Sequence, residues 1–520
     1  MRVEEATIEE LERALRCGEL TASALTAAYL ARIAAYDANL NAVRETNPEA
    51  PEIAASRDAA TRKPRPLEGI PILLKDNIAT ADRQTTTAGS LALARARAKR
   101  DATLVSLLSA AGAVILGKTN LTEFANILAL DMPAGYSALG GQVRNPYRPL
   151  LDEHGLPLAS PGGSSSGSAV AVAASFAAAA IGTETAGSLL SPAKENGIVT
   201  VKPTVGLLSR AGIIPIAKSQ DTAGPMTRTV RDAAILLNVL AAPDPQDPPT
   251  LAQKRPADYT RFLDKDGLKG ARIGIPSDPT DPANDVYYGR LSAPEARLME
   301  EAIAVLEDLG ATLIRANLST AGWIGGPGTE IAILNTNPRS ARRYRKERLS
   351  LVLVYELKEG LDAYLRDWAE GSETQSLAEI IAFNERHQEE ALRFGQDVFL
   401  AAAQTRGDLA EIEYRAARGN DRRSAREEGL DAYCDRHRLD AVLFPGARGA
   451  PIAAKAGYPS VQVPAGFAEN ADGVPLPCGI TFTGQAWSEP RLLAFAYAFE
   501  QATKARRPPP GFPPLLRSGG

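Results

Sequence analysis

Residues 162–192 read GGSSSGSAVAVAASFAAAAIGTETAGSLLSP. A Gly/Ser loop runs into a helix made almost wholly of alanine, and so little of it is polar that it belongs in a core. A second Gly-bounded turn then presents Ser188. Glycines admit φ > 0 and let backbone N–H groups approach a ligand closely, which suits a site that holds an oxyanion. The longest apolar stretch, Ala169 to Ile181, is interrupted by Ser175 and is too short and too weakly hydrophobic to span a bilayer.

Working outward, residues 69–79 (GIPILLKDNIA) read as a short buried strand with Lys75 conspicuous in an apolar run. Residues 102–117 read as helix, turn and strand, with Gly112 ending the helix, and TNLTEFAN (119–126) carries a helix signal. Upstream, residues 7–36 read as two amphipathic helices, Thr7 with Glu10 forming a capping box and Thr21 capping the second. Downstream, residues 242–290 look like a surface excursion, 295–310 a helix and 311–317 a strand. Residues 340–435 are charged and helix-rich, an insertion or cap. Residues 439–445, 459–466 and 478–484 return to strand patterns before a closing helix near 490–505. The tail after it is expected to be ordered only where it packs. This alternation predicts an α/β fold: one large domain over residues 1–520, its mixed twisted sheet covered by helices on both sides. Its core is 60–240, with a helical insertion at 340–435 and a return to the core sheet at 436–505.

Composition narrows the function. The 520 residues are 44% apolar and 23% charged, with 62 acidic against 58 basic side chains, a net charge of −4. That gives no basic footprint for nucleic acid. The first 20 residues lack the basic and apolar regions of a secretory signal, so a cytoplasmic protein without membrane association is expected. Three distant cysteines (Cys17, Cys434, Cys478) argue against a disulfide framework or structural zinc. Only His154, His387 and His437 are present, which leaves little scope for a histidine metal centre and points to chemistry based on another group.

Three chemistries compete for the serine-rich loop. Gly162 and Gly167 have phosphate-loop spacing, but Ser168-Ala169 stands where Lys-Ser/Thr is required. Gly163-Ser164-Ser165-Ser166-Gly167 formally matches a nucleophile elbow, with Ser165 as nucleophile and His437 or His387 as base. Both histidines lie in charged helical surroundings. The third needs no histidine: a lysine in an apolar pocket loses its charge readily, and Lys75, through a bridging serine, would activate another hydroxyl.

Taken in order, the motifs GIPILLKDN (69–77), GKTN (117–120), the Gly/Ser loop, GTETAGS (182–188), VKPTVGL (201–207) and SQDTAGP (219–225) resemble the amidase signature family. GYSALGGQVRNPY and SQDTAGPMTR most resemble its bacterial peptide amidase branch. The resemblance implies a cofactor-free, metal-free amide hydrolase with a Ser–cis-Ser–Lys triad. Lys75 would be the base, Ser164, behind a cis peptide bond, the bridge, and Ser188, 24 residues later, the nucleophile. The oxyanion donors would be the backbone N–H groups of Thr185, Ala186, Gly187 and Ser188. Ala186 departs from the glycine of many members, and Leu150–Ala159 are about ten extra residues before the loop that bear on the entrance. The expected substrate is a small-molecule or peptide amide, peptide C-terminal amides leading and aryl or fatty acyl amides, esters and carbamates close behind, for a monomer or homodimer. The rival is the glutaminase subunit of a tRNA-dependent amidotransferase, and a catalytically dead binding protein is the third option.

Each residue also has a plainer reading. Lys75 is a surface lysine at a strand end, Ser165 and Ser166 are loop scaffolding or a contact of Lys75, and Thr185 adds a side-chain contact or is structural. Asp221 and Arg228 are buried scaffold polar groups behind Ser188. Phe124, Asn126 and Tyr136 are candidate pocket residues that in the plainer reading are core. Cys478 is a packed small hydrophobe and His437 a solvated helix residue.

Overall fold

The computed structural model describes residues 2–59, 65–319 and 328–515. Eleven strands form one mixed sheet. They are β1 (Val43–Thr46), β2 (Pro71–Lys75), β3 (Val114–Thr119), β4 (Ala179–Glu184), β5 (Val199–Lys202) and β6 (Thr222–Thr227), then β7 (Arg272–Ile275), β8 (Thr312–Arg315), β9 (Ala441–Pro445), β10 (Ser460–Glu469) and β11 (Pro475–Thr483). Their order is β1-β3-β2-β4-β6-β5-β10-β11-β9-β7-β8. The site forms in the first half of the sheet, where β2 lies parallel between β3 and β4 and β4 pairs antiparallel with β6. Strands covered on both faces read as apolar runs rather than alternations, and every residue of β2, β3 and β4 is buried.

Helices α1 (Ile8–Arg16) and α2 (Ala22–Tyr36) begin at Thr7, with its capping box, and at Thr21. Helix α3 (Ser166–Ala173) grows out of the Gly/Ser loop with all eight residues buried. Its C-terminal carbonyls, which lack intrahelical donors, are met by three arginines. Arg228 donates to Val172 O and Ala177 O, Arg506 to Ala173 O, and Arg32 to Ala174 O and Ser175 O. Arg32 also holds the carbonyls of Phe512 and Pro513, so the C-terminal tail packs against α2; its last five residues, 516–520, lie outside the described ones.

Three expectations are corrected and a fourth gains a detail. The alanine run is only half helix: Ser175 turns left-handed at φ 57° and Ala179 onward becomes β4, because a slot between β2 and β6 outweighs alanine's helix propensity. TNLTEFAN is one tight turn, with Phe124, Ala125 and Asn126 at φ 45°, 55° and 78°. There Phe124 N–H bonds Ala88 O at 2.9 Å and the Glu123 carboxylate accepts Ala138 N–H at 2.7 Å. The 242–290 excursion contributes β7 to the sheet interior. The helix-rich 340–435 segment opens on a strand, Lys346–Ser350, paired with Glu330–Leu334, before α4 (Leu351–Trp368) begins.

Gly167 is where α3 meets the sheet edge, and a Cβ there would collide with the backbone oxygens of Ala42 and Asn120. Gly167→Ala is expected to lower stability by roughly 1–3 kcal/mol. Gly419→Ala, in a helix with nothing within 4 Å of the new methyl, is expected to be neutral or to stabilise by about 1 kcal/mol. Denaturant midpoints of the two variants check the contrast.

Candidate active site

Strand β2 ends on Lys75, which has no exposed surface. Its Nζ donates to Ser164 Oγ at 2.7 Å, Thr183 Oγ1 at 2.9 Å and Thr183 O at 3.3 Å. Burial pushes the amine down to about 7, against the opposing pull of Asp221 and Glu184. An ammonium has three donors and meets three acceptors here. A neutral amine keeps two donors and one lone pair; the carbonyl takes one N–H, and either hydroxyl can donate to the lone pair. The surroundings therefore accommodate both protonation states. Lys202, equally buried and held at about 8, faces only the carbonyls of Tyr458 and Pro203, which cannot donate. Lys118 is also buried and held at about 8, bonded to Ile78 O and Thr86 Oγ1.

Ser164 follows a cis peptide bond from Gly163 and is fully buried. Its carbonyl accepts Thr122 N–H at 3.1 Å, and Ser165 N–H donates to Ser188 O at 3.2 Å, which sets the serine loop against the turn that carries Ser188. Ser165 Oγ donates to Thr183 O at 3.0 Å and accepts Thr183 N–H at 3.2 Å. Ser166 Oγ donates to Gly162 O at 2.5 Å. Among the described residues neither hydrogen-bonds Lys75, although Ser165 shares Thr183 O with it; both fasten the loop to its surroundings.

Beyond Glu184 the chain turns sharply, Gly187 at φ 97°, into the short helix Leu190–Glu195. Glu184 Oε2 accepts the N–H groups of Leu189 at 2.7 Å and Leu190 at 3.0 Å, fixing the residue after Ser188. Thr185 Oγ1 donates to Asp221 Oδ1 at 2.5 Å. Among the described residues the backbone N–H groups of Thr185, Ala186, Gly187 and Ser188 have no hydrogen-bond acceptor, and the Ser188 hydroxyl, on a residue 8% exposed, has no partner. Unpaired donors in succession beside an uncommitted hydroxyl and a buried amine can bind an oxyanion next to a nucleophile. Thr183 and Glu184, which the sequence reading passed over, hold the amine and the turn; their only signal was two polar residues closing a Gly/Ala-rich strand.

A cavity of about 960 Å³ opens beside this turn, walled by Thr183, Thr185 and Asp221 from the core, the 212–216 segment, and Tyr364 and Trp368 from α4. Of the tight turn at 124–126, Ala125 lines it. Phe124 packs on Phe399 with ring centres 4.8 Å apart, Tyr136 on Phe394 at 4.7 Å, and Asn126 is exposed. The 150–159 insertion is a surface turn centred on Asp152 and held by Arg393 on His154 O, outside the cavity lining. His387 bonds Phe383 O and His437 packs on Tyr433; neither hydrogen-bonds a serine. Among the described residues no group of three or more His, Cys, Asp or Glu could hold a metal ion, and no helix is long and apolar enough to cross a membrane.

The Amidase family model matches residues 24–448. A probable amidase from Arabidopsis thaliana is 39% identical over 517 residues, covering 98% of this chain and 92% of that protein. The native peptide amidase of Stenotrophomonas maltophilia matches with a TM-score of 0.83 at 44% identity, over 97% of this chain and 98% of that one. A glutamyl-tRNA(Gln) amidotransferase subunit from Methylobacillus flagellatus is 33% identical over 503 residues, 96% of this chain and 97% of that protein. Such near-complete coverage, on the same α/β architecture, makes the chain a member of the amidase signature family and a hydrolase of amide C–N bonds.

Proposed function

We propose that the protein hydrolyses peptide C-terminal amides through an acyl-enzyme, with Lys75, Ser164 and Ser188 as a relay and no metal or cofactor. The observation that carries this is the buried Lys75 amine within 2.7 Å of Ser164 Oγ, on a loop hydrogen-bonded to the Ser188 backbone. Neutral Lys75 takes the Ser164 proton as Ser164 takes that of Ser188. Ser188 Oγ bonds to the carbonyl carbon, and negative charge builds on the carbonyl oxygen beside the 185–188 amides. When the C–N bond breaks, Ser164 returns a proton to the departing nitrogen and recovers one from Lys75. Water, activated by the same relay, then cleaves the ester to free acid and Ser188. The likeness to a peptide amidase supports the substrate class. The likeness to amidotransferase subunits keeps glutamine deamidation as the second reading; turnover of peptide amides by the purified chain alone, without tRNA or partner, selects between them.

Ser188→Ala is expected to abolish ammonia release from an N-acetylated dipeptide amide while the thermal unfolding curve stays in place, and Lys75→Ala to cost several orders of magnitude in kcat. Retained turnover in either variant, with loss on His437→Ala, would return the chemistry to the elbow serine, Ser165.

The relay needs Lys75 uncharged, so kcat/KM is expected to rise tenfold per pH unit on the acid side and level off above about pH 7, where the amine has lost its proton. A flat profile down to pH 5 would contradict a lysine base.

Stability moves oppositely to what a paired lysine gives. The folded amine titrates near 7 and the unfolded one near 10.5, so between these values the unfolded chain binds the extra proton and wild-type stability rises with pH. Lys75→Met, which buries no ammonium, is expected to unfold later than wild type at pH 6, by a few kcal/mol at most. This lead should shrink as the pH approaches 10, as melting temperatures across the range will register.

A further inference from the structure

Asp221 stands at the junction of three parts of the site. One oxygen accepts the Thr185 hydroxyl at 2.5 Å, and Thr185 carries the first of the four unpaired amides. The other oxygen accepts the N–H groups of Ile216 at 2.9 Å and Ala217 at 3.0 Å, at the end of the cavity wall that begins at Gly212. Two residues before it, Ser219 N–H donates to Glu356 Oε2 on α4 at 2.8 Å, and the other oxygen of Glu356 accepts the Tyr414 hydroxyl. The oxyanion turn and the cavity wall therefore meet at one buried carboxylate, and the helix that roofs the cavity is tied to the same loop two residues away.

Resting on the relay proposed above, we infer that Asp221 is its positioning residue, bracing the Thr185 end of the oxyanion turn against the cavity wall. Its charge gives the brace a second readout, through the pH dependence of the amine. The charges acting on Lys75 are Asp221 and Glu184, and Glu184 is engaged by the Leu189 and Leu190 amides. Asp221 in turn faces Arg210 and Glu356, and burial pushes its own carboxyl up to about 6. It is therefore ionised over the range in which Lys75 loses its proton. Removing its charge makes the ammonium less favourable, so the neutral amine survives to lower pH and the acid limb of kcat/KM moves to lower pH.

Asp221→Asn keeps the shape and removes the charge; its one carbonyl oxygen can accept from Ile216 and Ala217, but its NH2 presents a donor to Thr185 Oγ1 where an acceptor stood. Assayed by ammonia release from an N-acetylated dipeptide amide, it is expected to lose about 10–100-fold in kcat, part of what a lost oxyanion donor costs. KM should change less than threefold, and the acid limb should shift to lower pH. Thr185→Val, which breaks the brace and keeps the charge, is expected to lower kcat with the acid limb in place, and Thr185→Ser to restore most of that loss. A wild-type kcat and an unmoved acid limb in Asp221→Asn overturn the inference, as does a loss confined to KM. Should Asp221→Asn fail to fold, equal kcat in Thr185→Val and Thr185→Ser overturns the brace. Lys75→Ala and Ser188→Ala run alongside: if either keeps its turnover the relay itself is wrong, and if both lose it the outcome at Asp221 is decided independently of the relay.

Discussion

A primary amine sits with no exposed surface at the end of the interior strand β2, and the rest of the site is arranged around the difficulty of keeping it there. Burying an ammonium among apolar strands is unfavourable unless hydrogen bonds replace its water. Lys75 has three such bonds, two to hydroxyls and one to a carbonyl. Because hydroxyls both donate and accept, either charge state is satisfied and neither is strongly preferred. A pure carbonyl shell, as around Lys202, would favour the cation and leave no group to hand over a proton. The fold thus gives up stability below about pH 10.5 to keep the amine uncharged near neutrality for the proposed relay, a trade common where activity requires a destabilised group.

The lysine and the serine turns were legible in the sequence because each breaks a local rule. Lys75 is a charge inside an apolar run, and the 162–168 loop has more glycine and serine than a connection needs. Where local rules are obeyed, the sequence misleads. Alanine is the best helix former, yet Ala179 and Ala180 are strand residues because their small side chains let β4 sit beneath α3 between its neighbours. Phe124 to Asn126 show a helical pattern that tertiary hydrogen bonds pull into a left-handed turn. Thr183 gave little warning beyond its place at the end of a Gly/Ala-rich strand, since threonine is ordinary in a strand and its importance comes from the amine of a strand over 100 residues earlier. The joining of the sheet's two halves, β5 with β10, pairs Lys202 with Ser460, a contact no local pattern announces.

The cavity is built from two distant stretches of chain. The residues of the proposed relay all lie between Lys75 and Ser188, within the part of the chain that forms the first half of the sheet. Much of the opposite wall, Tyr364 and Trp368 included, comes from α4. Changes in α4 alter what fits against the turn without touching the contacts of Lys75, Ser164 or Thr183. The exception is Glu356, whose bond to Ser219 N–H ties the wall to the loop carrying Asp221.

The reactivity proposed for Ser188 also depends on what does not move. Helix α3 starts within two residues of Ser164, and its far end is gripped by Arg32, Arg228 and Arg506, which come from an N-terminal helix, the end of β6 and the C-terminal tail. Each arginine supplies charged donors to carbonyls that would otherwise be buried unpaired. The helix is thereby held at both ends, by the arginines at one and by Ser165 and Ser166 at the other. With the turn after Ser188 fixed in turn by Glu184, one turn carries, among the described residues, both a hydroxyl without a hydrogen-bond partner and successive amides without acceptors.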